Sequence, residues 1–93
     1  SHPRATLLIA QILFRQSAYR LALEYLDQAI ASQEVPPEVL LWRAICLIQE
    51  KRYLEALRLV ARFGPGHQLY PLAKLNQIFC FWLQGNRRKV RML

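Results

Sequence analysis

No acidic residue follows Glu55, whereas seven bases do: Arg58, Arg62, Lys74, Arg87, Arg88, Lys89 and Arg91. Glycine is scarce, with three in 93 residues, so there is no glycine-rich loop to cradle a phosphate with backbone N–H groups. Cysteine is limited to Cys46 and Cys80. Two cysteines without a Cys-x-x-Cys pair make neither a disulfide framework nor a redox or metal motif, and they point to a reducing compartment, the cytoplasm. No apolar run nears the ~20 residues that a membrane-crossing helix needs. The run from Leu7 to Phe14, behind Arg4, is broken by Gln11 and lacks a small-residue cleavage site, so it reads as a helix and not a signal peptide. The chain does not open with Met, and Ser1-His2-Pro3 reads as a processed or excised end.

What is present is apolar and basic. Hydrophobic residues make up 54% of the chain and the net charge is +7. So apolar a chain of this length either packs a dense core or leaves apolar surface for a partner. All six acids lie between Glu24 and Glu55. Such an asymmetry suits nucleic acid, an anionic surface or an acidic protein, and equally a solvated helix face.

The chain also repeats. Sliding it until Pro3 meets Pro37 aligns residues 3–36 with 37–70 without a gap, and also matches Leu7 with Leu41, Ala10 with Ala44 and Leu13 with Leu47. Tyr19 with Tyr53, Ala22 with Ala56 and Leu23 with Leu57 follow, and a second, equal slide brings Pro71, Leu75 and Phe81 to matching places. Proline suits the first turn of a helix, where its missing N–H has no partner to lose. The three prolines therefore predict helices over about Pro3–Gln16, Pro37–Glu50 and Pro71–Gln84. Second helices are expected over about Tyr19–Ser32 and Tyr53–Phe63, with a short sixth helix from Arg87. Turns fall at Gln16-Ser17-Ala18, Glu50-Lys51-Arg52 and Gly85-Asn86, the last with a glycine able to take the left-handed end of a helix. Pro36-Pro37 and Gly64-Pro65-Gly66 separate the units, giving one domain over residues 1–93 with repeats at about 3–36, 37–70 and 71–93.

This pattern resembles the tetratricopeptide repeat family, whose signature has the same period and places small residues where two helices cross. The signature places hold Thr6, Ile9, Ala10, Leu13, Ala22, Leu26, Ala29 and Glu34 in the first repeat. In the second they hold Leu40, Arg43, Ala44, Leu47, Ala56, Val60, Phe63 and Gln68, and in the third Lys74, Gln77 and Ile78. The signature Trp and closing Pro are absent, so the repeats are divergent. The resemblance implies an all-α, right-handed stack of antiparallel helical hairpins: five helices and a short sixth. It also implies that first helices line the concave side and second helices the outside.

Candidate chemistry is thin. His2 and His67 have no metal-ligand spacing, and Ser17 and Ser32 have no neighbouring His and acid. Cys46 and Cys80, one period apart, share a repeat position expected to face the hairpin interior, where a free cysteine acts as a small hydrophobe. No enzyme, cofactor or metal is expected.

The concave stripe is the more informative surface. Leu7, Gln11 and Phe14 share one helix face, and so do Leu41, Ile45 and Ile48, then Leu75, Phe79 and Trp82. A second stripe (Ile9, Ala10, Leu13; Ala44, Leu47; Ile78, Phe81) is expected to serve the core. First helices that are apolar nearly all round imply a partner that buries them. Leu7, Gln11, Leu41 and Leu75 stand where co-chaperones of this family keep a carboxylate clamp, so no clamp is expected. The expected partner is another polypeptide, an amphipathic helix or an extended apolar segment, with a capping subunit as a further candidate. In size and groove character the chain resembles the small tetratricopeptide chaperones of bacterial type III secretion. A scaffold segment of a larger repeat protein is one alternative. Another is nucleic-acid or anionic-surface binding through Arg58, Arg62, Lys74, Arg87, Arg88, Lys89 and Arg91, disfavoured because no recognised motif accompanies the charge.

Overall fold

A computed structural model describes residues 3–92, without the side chains of Pro3 and Arg87. His2, read above as part of an excised end, lies outside the described residues, and Arg87 of the basic patch is described in its backbone only. Six helices fill those residues: α1 Pro3–Arg15, α2 Tyr19–Ser32, α3 Pro37–Gln49, α4 Tyr53–Val60, α5 Tyr70–Leu83 and α6 Arg87–Met92. Each packs on the next in order, and α5 also packs on α3. The result is a stack of three helical hairpins, α1–α2, α3–α4 and α5–α6.

The sequence period is written into the backbone. Ser17, Lys51 and Gly85 take positive φ angles of 61°, 62° and 74°. At each of the three sites the left-handed residue closes the first helix of a hairpin. The Ser17, Lys51 and Gly85 N–H groups donate to the carbonyls of Phe14, Ile48 and Trp82. The following N–H groups, of Ala18, Arg52 and Asn86, reach back to the carbonyls of Leu13, Leu47 and Phe81 at 2.9, 2.8 and 2.9 Å. These paired bonds satisfy carbonyls that a helix end otherwise leaves orphaned and turn the chain sharply into the second helix. Second helices consequently begin one period apart, at Tyr19, Tyr53 and Arg87.

Small residues let the helices of the first two hairpins close up. Ala10, Ala22, Ala29, Ala44 and Ala56 are all buried, as the crossing positions require. Around them Leu23, Leu26, Leu47, Leu59, Val60 and Phe63 complete the core. A fully buried Leu such as Leu26 or Leu47 contributes about 1.5–3 kcal/mol. The molecule extends 45 × 28 × 18 Å. Its thinnest dimension is less than two full helix diameters of about 10–12 Å, so every helix has a side near the surface.

Three expectations need correction. The fourth helix ends at Val60 and not near Phe63. Ahead of Gly64-Pro65-Gly66, residues 62 and 63 tighten into i→i−3 bonds, with Arg62 N–H on Leu59 O and Phe63 N–H on Val60 O, and buried Phe63 anchors the turn. The fifth helix starts one residue early, at Tyr70, leaving Pro71 in its first turn. Ile9 is 40% exposed and does not join the core stripe.

Three substitutions test the hairpin closure. Lys51→Gly removes a left-handed side chain that costs ~1–2 kcal/mol, less the ~0.5–1 kcal/mol entropic cost of glycine, for a net gain of about 0.5–1 kcal/mol in urea unfolding. Gly85→Ala meets open space, so it loses only the conformational term, about 1 kcal/mol. Ala44→Leu, at a fully buried crossing, costs ~1–3 kcal/mol by overpacking and lowers the melting temperature by circular dichroism.

Candidate protein-binding surface

α3, the central first helix, shows what each side of a first helix touches. On one side Arg43 Nε donates to Asp27 Oδ1 of α2 at 2.6 Å, and buried Val39 and Cys46 share that side. Trp42 stacks on Phe14 of α1, with ring centroids 6.2 Å apart. Leu41 and Ile48 each lie two residues from Val39 and Cys46, or about 200° round the helix at 100° per residue, so α2 cannot cover them. They are nevertheless only 4% and 2% exposed. Shifting the Phe14–Trp42 contact by one repeat brings Ile48 opposite Asn76, at the junction where α5 packs on α3.

The same assignment carries to α5. The Cys80 thiol points at the Tyr53 carbonyl of α4, 3.7 Å away. On the side of its own hairpin, the Phe81 ring lies beneath the Lys89 ammonium of α6, 5.5 Å from the centroid. Leu75 and Trp82, the repeat equivalents of Leu41 and Ile48, have no following hairpin against them among the described residues and are 62% and 58% exposed. Leu72, Phe79 and Leu83 extend the exposure, so five large apolar side chains run the length of α5 at i, i+3, i+7, i+10 and i+11. That spacing is one continuous helix face.

The nine residues expected to line the concave side therefore do not form one open groove. Leu75, Phe79 and Trp82 are exposed, and Leu7, Gln11, Phe14 and Ile45 are half-buried. Leu41 and Ile48 are closed in by packing and leave the candidate surface. A second feature opens between α1 and α3: a cleft of about 440 Å³ whose walls include Leu7, Leu8, Gln11, Val39 and Trp42. Leu8 and Trp42 were missed from sequence although they share a repeat position, as were Leu72 and Leu83, whose helical spacing from Leu75 was legible.

Two of the basic residues line different hollows, whereas Arg88, Lys89 and Arg91 share α6. Arg62 lines a hollow with Asp27, Ile30 and Leu40, whereas Lys74 lines another with Phe63 and Tyr70. Arg58, Arg88, Lys89 and Arg91 are exposed. His67 is engaged locally, accepting the Leu69 N–H at Nδ1 and meeting the Phe63 ring edge-on. Cys46 and Cys80 are free and buried. They face the preceding hairpin and not, as expected, the interior of their own. Burial pushes the Cys46 thiol up to about 12, with Glu50 and Asp27 adding to it, and burial also raises Cys80. Among the described residues no three metal-ligating side chains converge, and no helix is long and apolar enough to cross a membrane.

No family model, curated protein or solved structure matches this chain.

The thiols give a direct check on this packing. At pH 8 neither cysteine should react with iodoacetamide in the folded chain, and both should react in urea. Because the folded Cys46 pKa is raised, the unfolded chain loses its thiol proton first, so stability holds below pH 9 and falls as pH climbs towards 12. Urea midpoints across that window should decline.

Proposed function

We propose that the chain is a protein–protein interaction module that takes an amphipathic helix or an extended apolar segment of another polypeptide. The observation that supports it most is the exposed stripe of Leu72, Leu75, Phe79, Trp82 and Leu83 on α5. Contiguous apolar surface on a helix otherwise held by packing marks an interaction site, because leaving it in water is unfavourable at roughly 25 cal/mol per Å². The helices are held by core and turn, so a partner meets a preformed surface and loses little affinity to ordering.

The period shared by the sequence and the three hairpin turns supports placing the chain among divergent tetratricopeptide-like stacks. Covering an aggregation-prone apolar helix, as the small chaperones of type III secretion do, is the specific task this resemblance suggests, and free buried thiols fit a cytoplasmic home. A scaffold segment of a larger repeat protein is the second reading. It is favoured by apolar exposure at both ends of the stack, at Leu8, Ile9 and Ile12 of α1 as well as on α5. Nucleic-acid binding loses support from the separation of Arg62 and Lys74 into different hollows.

Titration calorimetry decides between these. An amphipathic apolar peptide should bind, a polar peptide of equal length should not, and a single-stranded oligonucleotide should bind weakly and only at low salt. Phe79→Ala should weaken the peptide by about tenfold with the circular-dichroism melt unchanged, the scale of an interface anchor. Tight oligonucleotide binding together with silent apolar peptides would sink the proposal.

A further inference from the structure

We infer, on the strength of the binding-module function proposed above, that the end of the stack formed by Leu75 and Trp82 of α5 docks an amphipathic helix with acidic flanks. That helix sits on α5 as α5 sits on α3. The occupant follows from what the molecule does with the same positions elsewhere. In the first hairpin Phe14 is covered by Trp42 of the next first helix. In the second, Leu41 and Ile48 are buried and α5 packs on α3. Only in the third do the equivalents, Leu75 and Trp82, stand in the open. A stack that already seats α5 on α3 has the geometry to seat a further helix on α5, and α5 offers 14 residues to a partner of similar length.

Charge specifies the flanks. Beyond Glu55 the chain carries no acid. Lys89 of α6 lies over the Phe81 ring of α5, and α6 also carries exposed Arg88 and Arg91, so the last hairpin presents bases next to α5. Within the molecule the junction between hairpins already uses an opposite-charge pair, Arg43 with Asp27. Acids on the incoming helix would pair with these bases and steer its approach. A second copy of this chain is the poorer occupant. The helix it would offer in head-to-tail stacking, α1, has exposed Leu8, Ile9 and Ile12 but no acid, and it carries Arg4 and Arg15.

The experiment uses the full chain and two capped synthetic peptides of about 14 residues, long enough for nearly four helical turns. Both carry Leu at helix-face spacing, with Glu at the flanking positions of one and Lys in the other. By calorimetry the Glu peptide should bind at least ~10-fold more tightly at low salt, and the advantage should shrink as salt screens it. Trp82→Ala should weaken it by ~10-fold or more, while Leu8→Ser in the α1–α3 cleft leaves it unchanged. Leu75→Ser is the substitute should Trp82→Ala alter the melt. Equal affinity for both peptides, or no binding of either, overturns the inference. Loss through Leu8→Ser instead of Trp82→Ala overturns it too, but leaves the module function standing with its site in the cleft. Sedimentation showing a dimer that Trp82→Ala dissociates would make a second copy the occupant and overturn the acidic-helix inference.

Discussion

Everything in this stack depends on how closely the two helices of a hairpin approach. Alanine at the crossings removes the side chains that would hold the helices apart, and all five crossing alanines are buried. The left-handed turn at Ser17, Lys51 and Gly85 then fixes the angle at which the second helix leaves the first. Neither device suffices alone. Without the turn the first helix would run on, and without the alanines the second would splay away and expose Leu26 and Leu47. The turn recurs in all three hairpins and the alanines in the first two, with Ile78 and Val90 at their places in the third, so the hairpins repeat one connection and present equivalent faces to their neighbours.

Equivalent faces make the architecture nearly one-dimensional: each hairpin touches the next, and stability is a sum of units and junctions. The junctions are sealed mainly by apolar contact, with Val39 and Cys46 on the α2 side of α3 and Ala73 and Cys80 on the α4 side of α5. The Arg43–Asp27 pair adds orientation more than strength, since a partly exposed ion pair is worth under ~1 kcal/mol. Such a structure cannot close on itself. Its end faces have no neighbouring hairpin among the described residues, and Ile12, Leu75 and Trp82 are exposed where their α3 equivalents Cys46, Leu41 and Ile48 are buried.

Function and fold are linked through that openness. At Leu75 and Trp82 exposure comes from the position of the helix within the stack, since their equivalents Leu41 and Ile48 are buried, whereas Leu72 and Leu83 stand where α3 carries exposed Glu38 and Gln49. The side chains that would seal a further junction are therefore exposed, and the basic second half of the chain is the basis for the charge of the partner proposed above.

The helices and hairpin order were legible from the sequence because proline at helix starts, alanine at crossings and 3.6-residue periodicity are local signals. Only one of the three left-handed turns announced itself, at Gly85. Ser17 and Lys51 adopt the same conformation because the paired backbone bonds that close each helix require it, on residues with no preference for it. Local patterning was enough to set the period, the hairpins and which residues share a helix face. Which of those faces stay open was settled by packing between hairpins. Leu41 and Leu75 are the same residue at the same repeat position, yet one is buried and the other exposed. A residue's burial depends on what packs across from it, and no local pattern records whether a neighbouring hairpin is there.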